Sequence, residues 1–260
     1  MENISDRVNR LSESATIAMA RKARELKSQG IDIISLSLGE PDFNTPDFIK
    51  EAAKEGIDQN YSKYMPVNGY QDLREAISNK FKRDNNIDYT TDQIVVSTGA
   101  KQSIANVVLS LINPGDEVIV PAPYWVSYEE IIKMAEGIPV FIETSIENDF
   151  KISPQQLENA ISSKTKMMIY SSPCNPSGSV YSKEELLKLR DIVKKHDLFL
   201  FADEVYREFT YDGNTHYSIM QEEGLNEYAI IIDSVSKRYS MCGARIVVWF
   251  LKTNRLYKQR

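Results

Sequence analysis

The chain has 260 residues, of which 42% are hydrophobic and 26% charged, a composition that is ordinary for a soluble globular protein. Lys and Arg number 31 against 37 Asp and Glu, and the resulting net charge of −6 disfavours nonspecific binding of nucleic acid. Two cysteines are too few for a disulfide framework, and the sequence shows neither a signal peptide nor an apolar run of transmembrane length, so we expect a cytoplasmic protein with reduced, buried thiols.

Helical patterns and short apolar segments follow one another along the chain. Helices are predicted at 14–29, after Thr45-Pro46 (with Thr45 as the cap), from Gly69, from Gly99 to Ile112, and at 126–135 and 183–196. Strands are predicted at 31–38 (strand or extended segment), 94–96, 118–120, 138–142, 166–170, 198–202 and 229–232. This alternation indicates βαβ units. We therefore predict a three-layer α/β/α fold with a mostly parallel sheet.

The segment from Ser234 to Arg245 carries the strongest chemical signal. Lys237 stands beside Ser234 and Ser236, and Arg245 follows eight positions after the lysine. A lysine amine forms a Schiff base with an aldehyde, while a hydroxyl and a guanidinium bind a phosphate. An enzyme needs this combination to hold pyridoxal phosphate covalently.

Two further clusters follow predicted strands, where open α/β sheets bind their ligands. Ala100 and Lys101 begin a helix, whose N–H groups can bind a phosphate, although glycine at such a junction usually marks a simple turn. Asn175 lies between two prolines that either aim its amide above the sheet or form a rigid turn.

Another three residues at strand ends suit a planar, cationic ring. Asp203 ends a buried strand and needs a partner such as a pyridinium N–H, or it caps a helix. Tyr206 can reach a phenolic oxygen of the cofactor or belong to the core. Trp125 can stack on the ring or serve as ordinary core packing.

The order and spacing of these segments resemble the fold-type I pyridoxal-phosphate aminotransferases, in the aspartate aminotransferase branch of the class I/II family. The resemblance covers nearly the whole chain. Its matching segments begin at Ser37 and Gly39 and continue through Tyr64–Gly69, Pro121–Trp125, Asn175–Gly178, Ala202–Tyr206 and Ser236-Lys237 to Gly243–Ile246.

The resemblance implies a role for each matching position. Lys237 would form the Schiff base and move a proton between the substrate and the cofactor, and Asp203 would pair with the ring nitrogen. Tyr206 and Asn175 would bind the ring oxygen, Trp125 would stack on the ring, and Gly39, Trp125 and Asn175 would contact substrate. The implied phosphate ligands are Ala100, Lys101, Ser234, Ser236, Arg245 and, from the neighbouring subunit of a homodimer, Tyr64.

The resemblance also divides the chain into three parts. Residues 1–44 would belong to the small domain and dimer arm, 45–246 to an incomplete cofactor-binding large domain, and 247–260 to an aberrant tail that begins like a strand. Val247 replaces a family glycine, and no residue matches the arginine that binds the substrate carboxylate, so we expect a missing C-terminal small domain and little or no activity. We also expect the tail to be a frameshift product, because one added nucleotide before a possible coding sequence gives a family-like continuation.

The implied function is amino-group transfer between an L-amino acid, aspartate first, and a 2-oxo acid, with no metal, nucleic acid or membrane partner. The motifs do not separate this from a lyase or from an aromatic or branched-chain transaminase on the same scaffold. The second alternative is a non-catalytic protein, either a fragment that binds the cofactor without turnover or a regulator. It is disfavoured because such regulators carry a DNA-binding module, and the segment before Gly39 is too short for one. An unfolded remnant with an exposed sheet edge is the third alternative.

Overall fold

The computed structural model describes residues 4–222, 224–225 and 227–251, so positions 252–260 of the predicted tail lie outside the described residues. The helices are α1 (Asp6–Asn9), α2 (Ala15–Ser28), α3 (Asp47–Asp58), α4 (Gln71–Asn85), α5 (Ala100–Leu111), α6 (Ser127–Met134), α7 (Pro154–Ala160), α8 (Lys183–Lys195) and α9 (Val235–Arg238). The strands are β1 (Ile94–Ser97), β2 (Glu117–Ala122), β3 (Ile138–Glu143), β4 (Thr165–Ser171), β5 (Phe199–Asp203), β6 (Ala229–Ser234) and β7 (Val247–Leu251).

The strands of the described residues form one seven-stranded sheet in the order β1-β7-β6-β5-β4-β2-β3. Strands β6, β5, β4, β2 and β3 pair in parallel, while β7 runs antiparallel between β1 and β6. The predicted α/β fold with a mostly parallel sheet is confirmed. The parallel strands end together at one edge, and that edge holds the site described below.

Hydrophobic cores lie on both faces of the sheet, because successive side chains of a strand point to opposite faces. In β5, Leu200 and Ala202 pack into a first core with α4, α7 and α8. Phe199 and Phe201 pack into a second core with α5 and α6. The same alternation places Asp203 on the face of α5 and α6.

Local structure departs from the sequence prediction at three places. Residues 31–38 form no strand, and α3 begins at Asp47 with Pro46 as its cap residue. Thr45 does not cap this helix, because its hydroxyl donates to the Ser240 carbonyl at 2.8 Å. Helix α7 was missed, although Ser153 and Gln156 form a capping box at its start. Strand β7 lies where the tail was predicted to begin like a strand, and it continues the sheet past residue 246. The domain boundary at residue 246 stays a prediction.

The N-terminal third of the described chain leaves many apolar side chains in solvent. Helices α2 and α3 contain no buried residue. The exposed side chains include Ile34, Leu36, Phe43, Phe48 and Val67, with exposed fractions from 74% to 101%. An apolar surface of this extent is typical of an interface.

Within the described residues, no helix combines the length and the apolar character needed to cross a bilayer.

Strand β7 should contribute much of the stability of the first core. Phe250 is fully buried, and its ring centroid lies 4.3 Å from that of Phe81 and 4.9 Å from that of Tyr89. We expect Phe250→Ala to lower the free energy of unfolding by about 3–5 kcal/mol in urea denaturation, because it removes an aromatic ring from a packed core. Tyr211→Ala, at a side chain 70% exposed, is the control and should change it by less than about 0.5 kcal/mol.

Candidate functional site

A cavity of about 350 Å³ opens at the carboxyl ends of β4, β5 and β6. Its volume suits a small organic molecule. Its walls combine aromatic rings, hydroxyls, three cationic side chains and one carboxylate: Ala100, Lys101, Trp125, Tyr128, Asn175, Asp203, Val205, Tyr206, Ser234, Ser236, Lys237, Cys242 and Arg245.

Asp203 is the buried carboxylate of this cavity, with 6% of its surface exposed. The Tyr128 hydroxyl donates to its Oδ2 at 2.6 Å, and the Val205 N–H donates to its Oδ1 at 3.2 Å. In the described part of the chain, Asp203 has no salt bridge to a lysine, arginine or histidine. Burial raises the pKa of the Asp203 carboxyl, because a charge without a countercharge is unfavourable away from water.

Lys237 is placed in the cavity by the short helix α9. The next residue, Arg238, anchors this helix to β6 through two contacts with Asp233, at 3.0 and 3.2 Å. Arg238 Nε also donates a hydrogen bond to Glu208 Oε1 at 3.1 Å. Lys237 Nζ donates to the carbonyl of Gly39 and lies 5.8 Å from the centre of the Tyr206 ring. The lysine amine is therefore held over the cavity, half-buried.

The other end of the cavity is shaped for an anion. Gly99 precedes α5 with a φ of +91°, and a Cβ added there would overlap the guanidinium of Arg245. This close approach brings Arg245 to the first N–H groups of α5, which are positively polarised. Among the described residues, none of the three cations Lys101, Lys237 and Arg245 forms a salt bridge. Ser234 and Ser236 lie nearby, joined by a hydrogen bond from the Ser236 N–H to the Ser234 hydroxyl at 3.0 Å.

Aromatic and amide side chains form the remaining walls. Trp125 packs edge-on against Tyr128, with ring centroids 5.5 Å apart at 87°, and Lys101 Nζ lies 5.4 Å from the Trp125 ring. Tyr206 and Asn175 interact through their side chains, and burial raises the pKa of the Tyr206 hydroxyl, which is therefore neutral at physiological pH. A flat ring thus finds an aromatic surface and two hydrogen-bonding groups beside it.

Most of the residues singled out in the sequence meet in this cavity. They are Ala100, Lys101, Trp125, Asn175, Asp203, Tyr206, Ser234, Ser236, Lys237 and Arg245. Gly39 touches the cavity through its contact with Lys237. Tyr64 does not; it is fully exposed and lines a separate groove that shares only Arg245 with the cavity. Their chemical roles stay predictions.

Sequence reasoning missed Tyr128, Val205 and Cys242, which also line the cavity. A signal for Tyr128 was available, since it lies in the first turn of α6, the helix that follows β2. Polar residues in that turn lie near the carboxyl end of the preceding strand.

The comparison with protein families gives a single family over most of the chain. The sequence profile described as aminotransferase class I and II matches residues 31–255. The chain belongs to this aminotransferase family. Its relatives include an aspartate aminotransferase of Bacillus subtilis (strain 168), 47% identical over 244 residues, and an aspartate/prephenate aminotransferase of Nitrosomonas europaea, 47% identical over 245 residues. Each alignment covers 94% of this chain and 62% of the relative, so the chain spans under two thirds of their length.

Solved structures of the aminotransferase family share the fold. An aspartate aminotransferase from Thermus thermophilus with maleate superimposes with a TM-score of 0.92 at 40% identity, covering 96% of this chain and 65% of that chain. An aspartate aminotransferase from Rhizobium meliloti also gives a TM-score of 0.92, at 35% identity, covering 98% and 64%. This similarity confirms the predicted fold type and the resemblance to the aspartate aminotransferases.

The cavity fits the cofactor that the family implies, pyridoxal phosphate. The cations without salt bridges and the α5 N-terminus suit its phosphate, and the buried Asp203 suits a cationic ring N–H. The Lys237 amine, which lies between the Tyr206 ring and the Gly39 carbonyl, suits its aldehyde. The cavity thus has a carboxylate where the cationic ring nitrogen would lie and positive charges where the phosphate would lie.

The raised pKa of Asp203 makes a prediction about the protein without cofactor. Burial favours the neutral carboxyl, so the contribution of Asp203 to stability is fully present below its ordinary pKa of 3.8 and is lost as the pH rises through the raised value. Asp203→Asn should therefore increase the free energy of unfolding in urea at about pH 7.5, with a smaller gain at about pH 4.5. Asp58→Asn, on the exposed surface of α3, is the control; an equal gain at both pH values would contradict the prediction.

Proposed function

We propose that this chain forms the cofactor-binding part of a pyridoxal-phosphate-dependent aminotransferase. The proposed reaction exchanges an amino group between an L-amino acid, aspartate foremost, and a 2-oxo acid. The observation that carries this proposal is a single cavity in which Lys237 and the buried carboxylate of Asp203 lie with an anion-binding end. The relatives are an aspartate aminotransferase and an aspartate/prephenate aminotransferase, and this favours aspartate as the amino donor.

Each end of the cavity has a proposed task in holding the cofactor. Arg245, Ser234, Ser236, Lys101 and the N–H of Ala100 bind the phosphate, because several donors and positive charges converge there. Asp203 accepts a hydrogen bond from the ring nitrogen. Tyr206 Oη and the Asn175 amide bind the ring oxygen, and Trp125 stacks on the ring. When bound, pyridoxal phosphate supplies an electron sink for the substrate carbon.

Lys237 carries the proton transfer in this proposal. Its Nζ would be the point of covalent attachment for the cofactor. As a free amine, it would act as the general base at the substrate carbon. The anchoring of α9 through Arg238 and Asp233 fixes the amine in place, because proton transfer requires contact within hydrogen-bond distance.

We further propose a homodimer, with residues 1–44 as the arm and small-domain segment and 45–246 as the large domain. The exposed apolar side chains between Ile34 and Val67 support an interface at this surface. Tyr64 belongs to the same exposed region, in keeping with a role at the neighbouring subunit's phosphate site.

Cofactor attachment tests the proposal directly. The purified chain mixed with pyridoxal phosphate should develop the visible absorbance of a lysine-bound cofactor, and borohydride reduction should fix the cofactor's mass on the peptide containing Lys237. Lys237→Ala should lose both signals because it lacks the amine, whereas Lys54→Ala, exposed on α3, should keep them. Absence of attachment in the wild type would refute the proposal. An assay of amino-group transfer from aspartate to 2-oxoglutarate then distinguishes a chain that catalyses the reaction from one that only binds the cofactor.

The anion end makes a separate prediction. Gly99→Ala should weaken cofactor binding by about tenfold or more, because its methyl group displaces the Arg245 guanidinium and removes a charged hydrogen bond. Equilibrium titration of the cofactor absorbance measures this loss. Gly56→Ala is the matched control, since a Cβ at Gly56 meets no atom within 4 Å, and it should bind the cofactor like the wild type. Unchanged affinity in Gly99→Ala would exclude the proposed phosphate position.

A further inference from the structure

We propose that Tyr128 is a positioning residue that keeps Asp203 ionised and oriented toward the ring nitrogen of the cofactor. This inference rests on the proposed function, because it concerns the same cavity. It adds a residue that does not touch the reacting atoms and acts through the carboxylate of Asp203.

The contacts of Asp203 define what Tyr128 does. Its hydroxyl donates to Oδ2 at 2.6 Å, which is a short distance typical of a hydrogen bond to a charged acceptor. The Val205 N–H donates to Asp203 Oδ1 at 3.2 Å. With one donor on each oxygen, the carboxylate cannot rotate freely, and its remaining lone pairs serve the cavity that Asp203 lines.

Tyr128 is itself held rigidly. Only 2% of its surface is exposed, and it belongs to the second core together with Ile131 and Ile132 of the same helix. The edge-to-face contact with Trp125 fixes the ring from the cavity side. The hydroxyl therefore has one position available, and that position is on Asp203.

The surrounding charges show why this donor matters. Burial raises the pKa of Asp203, and the nearby carboxylates of Glu204 and Asp233 raise it further, whereas the hydrogen bonds from Tyr128 and Val205 lower it. Glu204 is itself paired with His216 at 3.0 Å, and Asp233 with Arg238 at 3.0 Å. The other titratable groups that face Asp203 from the cavity walls are Tyr206, Cys242, Lys237, Lys101 and Arg245. Tyr128 is thus the side chain that stabilises the charged form of Asp203 by direct contact.

Tyr128→Phe removes the donor and nearly preserves the volume. Asp203 then holds a proton more tightly, so the proton shared with the ring nitrogen moves toward the carboxylate and the ring loses positive charge. Because the ring is less positive, the Lys237 nitrogen that is bonded to the cofactor should keep its proton to a higher pH. We expect covalent attachment to persist and the midpoint pH of the bound cofactor's absorbance change to rise by roughly 0.5–1 unit, part of the shift of about one unit that a charged hydrogen bond supports.

Tyr124→Phe is the matched control, because Tyr124 also donates to a carboxylate, Glu129 Oε2 at 2.7 Å, outside this cavity. It should leave the midpoint unchanged. A midpoint in Tyr128→Phe equal to that of the wild type and of Tyr124→Phe would overturn the inference, as would an equal shift in both variants.

A readout without cofactor separates this inference from the proposed function. If the wild type takes up no cofactor, the proposed function fails. The infrared carbonyl band of protonated Asp203, assigned with Asp203→Asn, still reports the carboxyl in the protein alone, and its pH midpoint should rise in Tyr128→Phe. If Tyr128→Phe does not fold, the contact is tested by comparing the wild type with Asp203→Asn. The downfield hydroxyl proton resonance of Tyr128 in the wild type should shift in Asp203→Asn. An unchanged resonance would refute the contact.

Discussion

The parallel register of β4, β5 and β6 is the constraint on which the site depends. Ser171 pairs with Asp203, and Asp203 pairs with Ile232, so three strand ends lie side by side at one edge of the sheet. The loop that carries Asn175 and the helix that carries Lys237 start from this edge. A slip of one residue in β5 would turn Asp203 to the opposite face, away from Tyr128 and the cavity.

The second organising feature of the described residues is a set of charged side chains around the cavity that form no salt bridges with one another. Asp203 is buried without a cationic partner in the described residues, while Lys101, Lys237 and Arg245 surround the cavity without salt bridges. Charges arranged in this way are unfavourable in the protein alone and favourable around a ligand of complementary charge. The fold thus maintains a charge pattern that a cationic ring nitrogen and a phosphate would complete.

Sequence patterns predicted the long, regular elements well, because their hydrophobic period is local information. Helices α4, α5, α6 and α8 and the parallel strands lie within a few residues of their predicted bounds. The missed helix α7 carried a local capping signal, whereas two other errors concern features set by distant contacts. Thr45 looked like a helix cap, yet its hydroxyl donates to Ser240, 195 positions away. Tyr128 was not singled out in the sequence, and its hydrogen bond to Asp203 spans 75 positions.

The sequence by itself determined the alternation of strands and helices, the family, and the set of polar residues that follow the strands. Side-chain chemistry and local spacing were sufficient for these, because each is encoded within a few neighbouring positions. Only the tertiary structure decided that ten of those residues share one cavity, that Tyr64 points elsewhere, and that Arg238 anchors the helix of Lys237. It also decided that Asp203 is fixed by Tyr128, since burial and long-range hydrogen bonds exist only once the sheet has brought distant segments together.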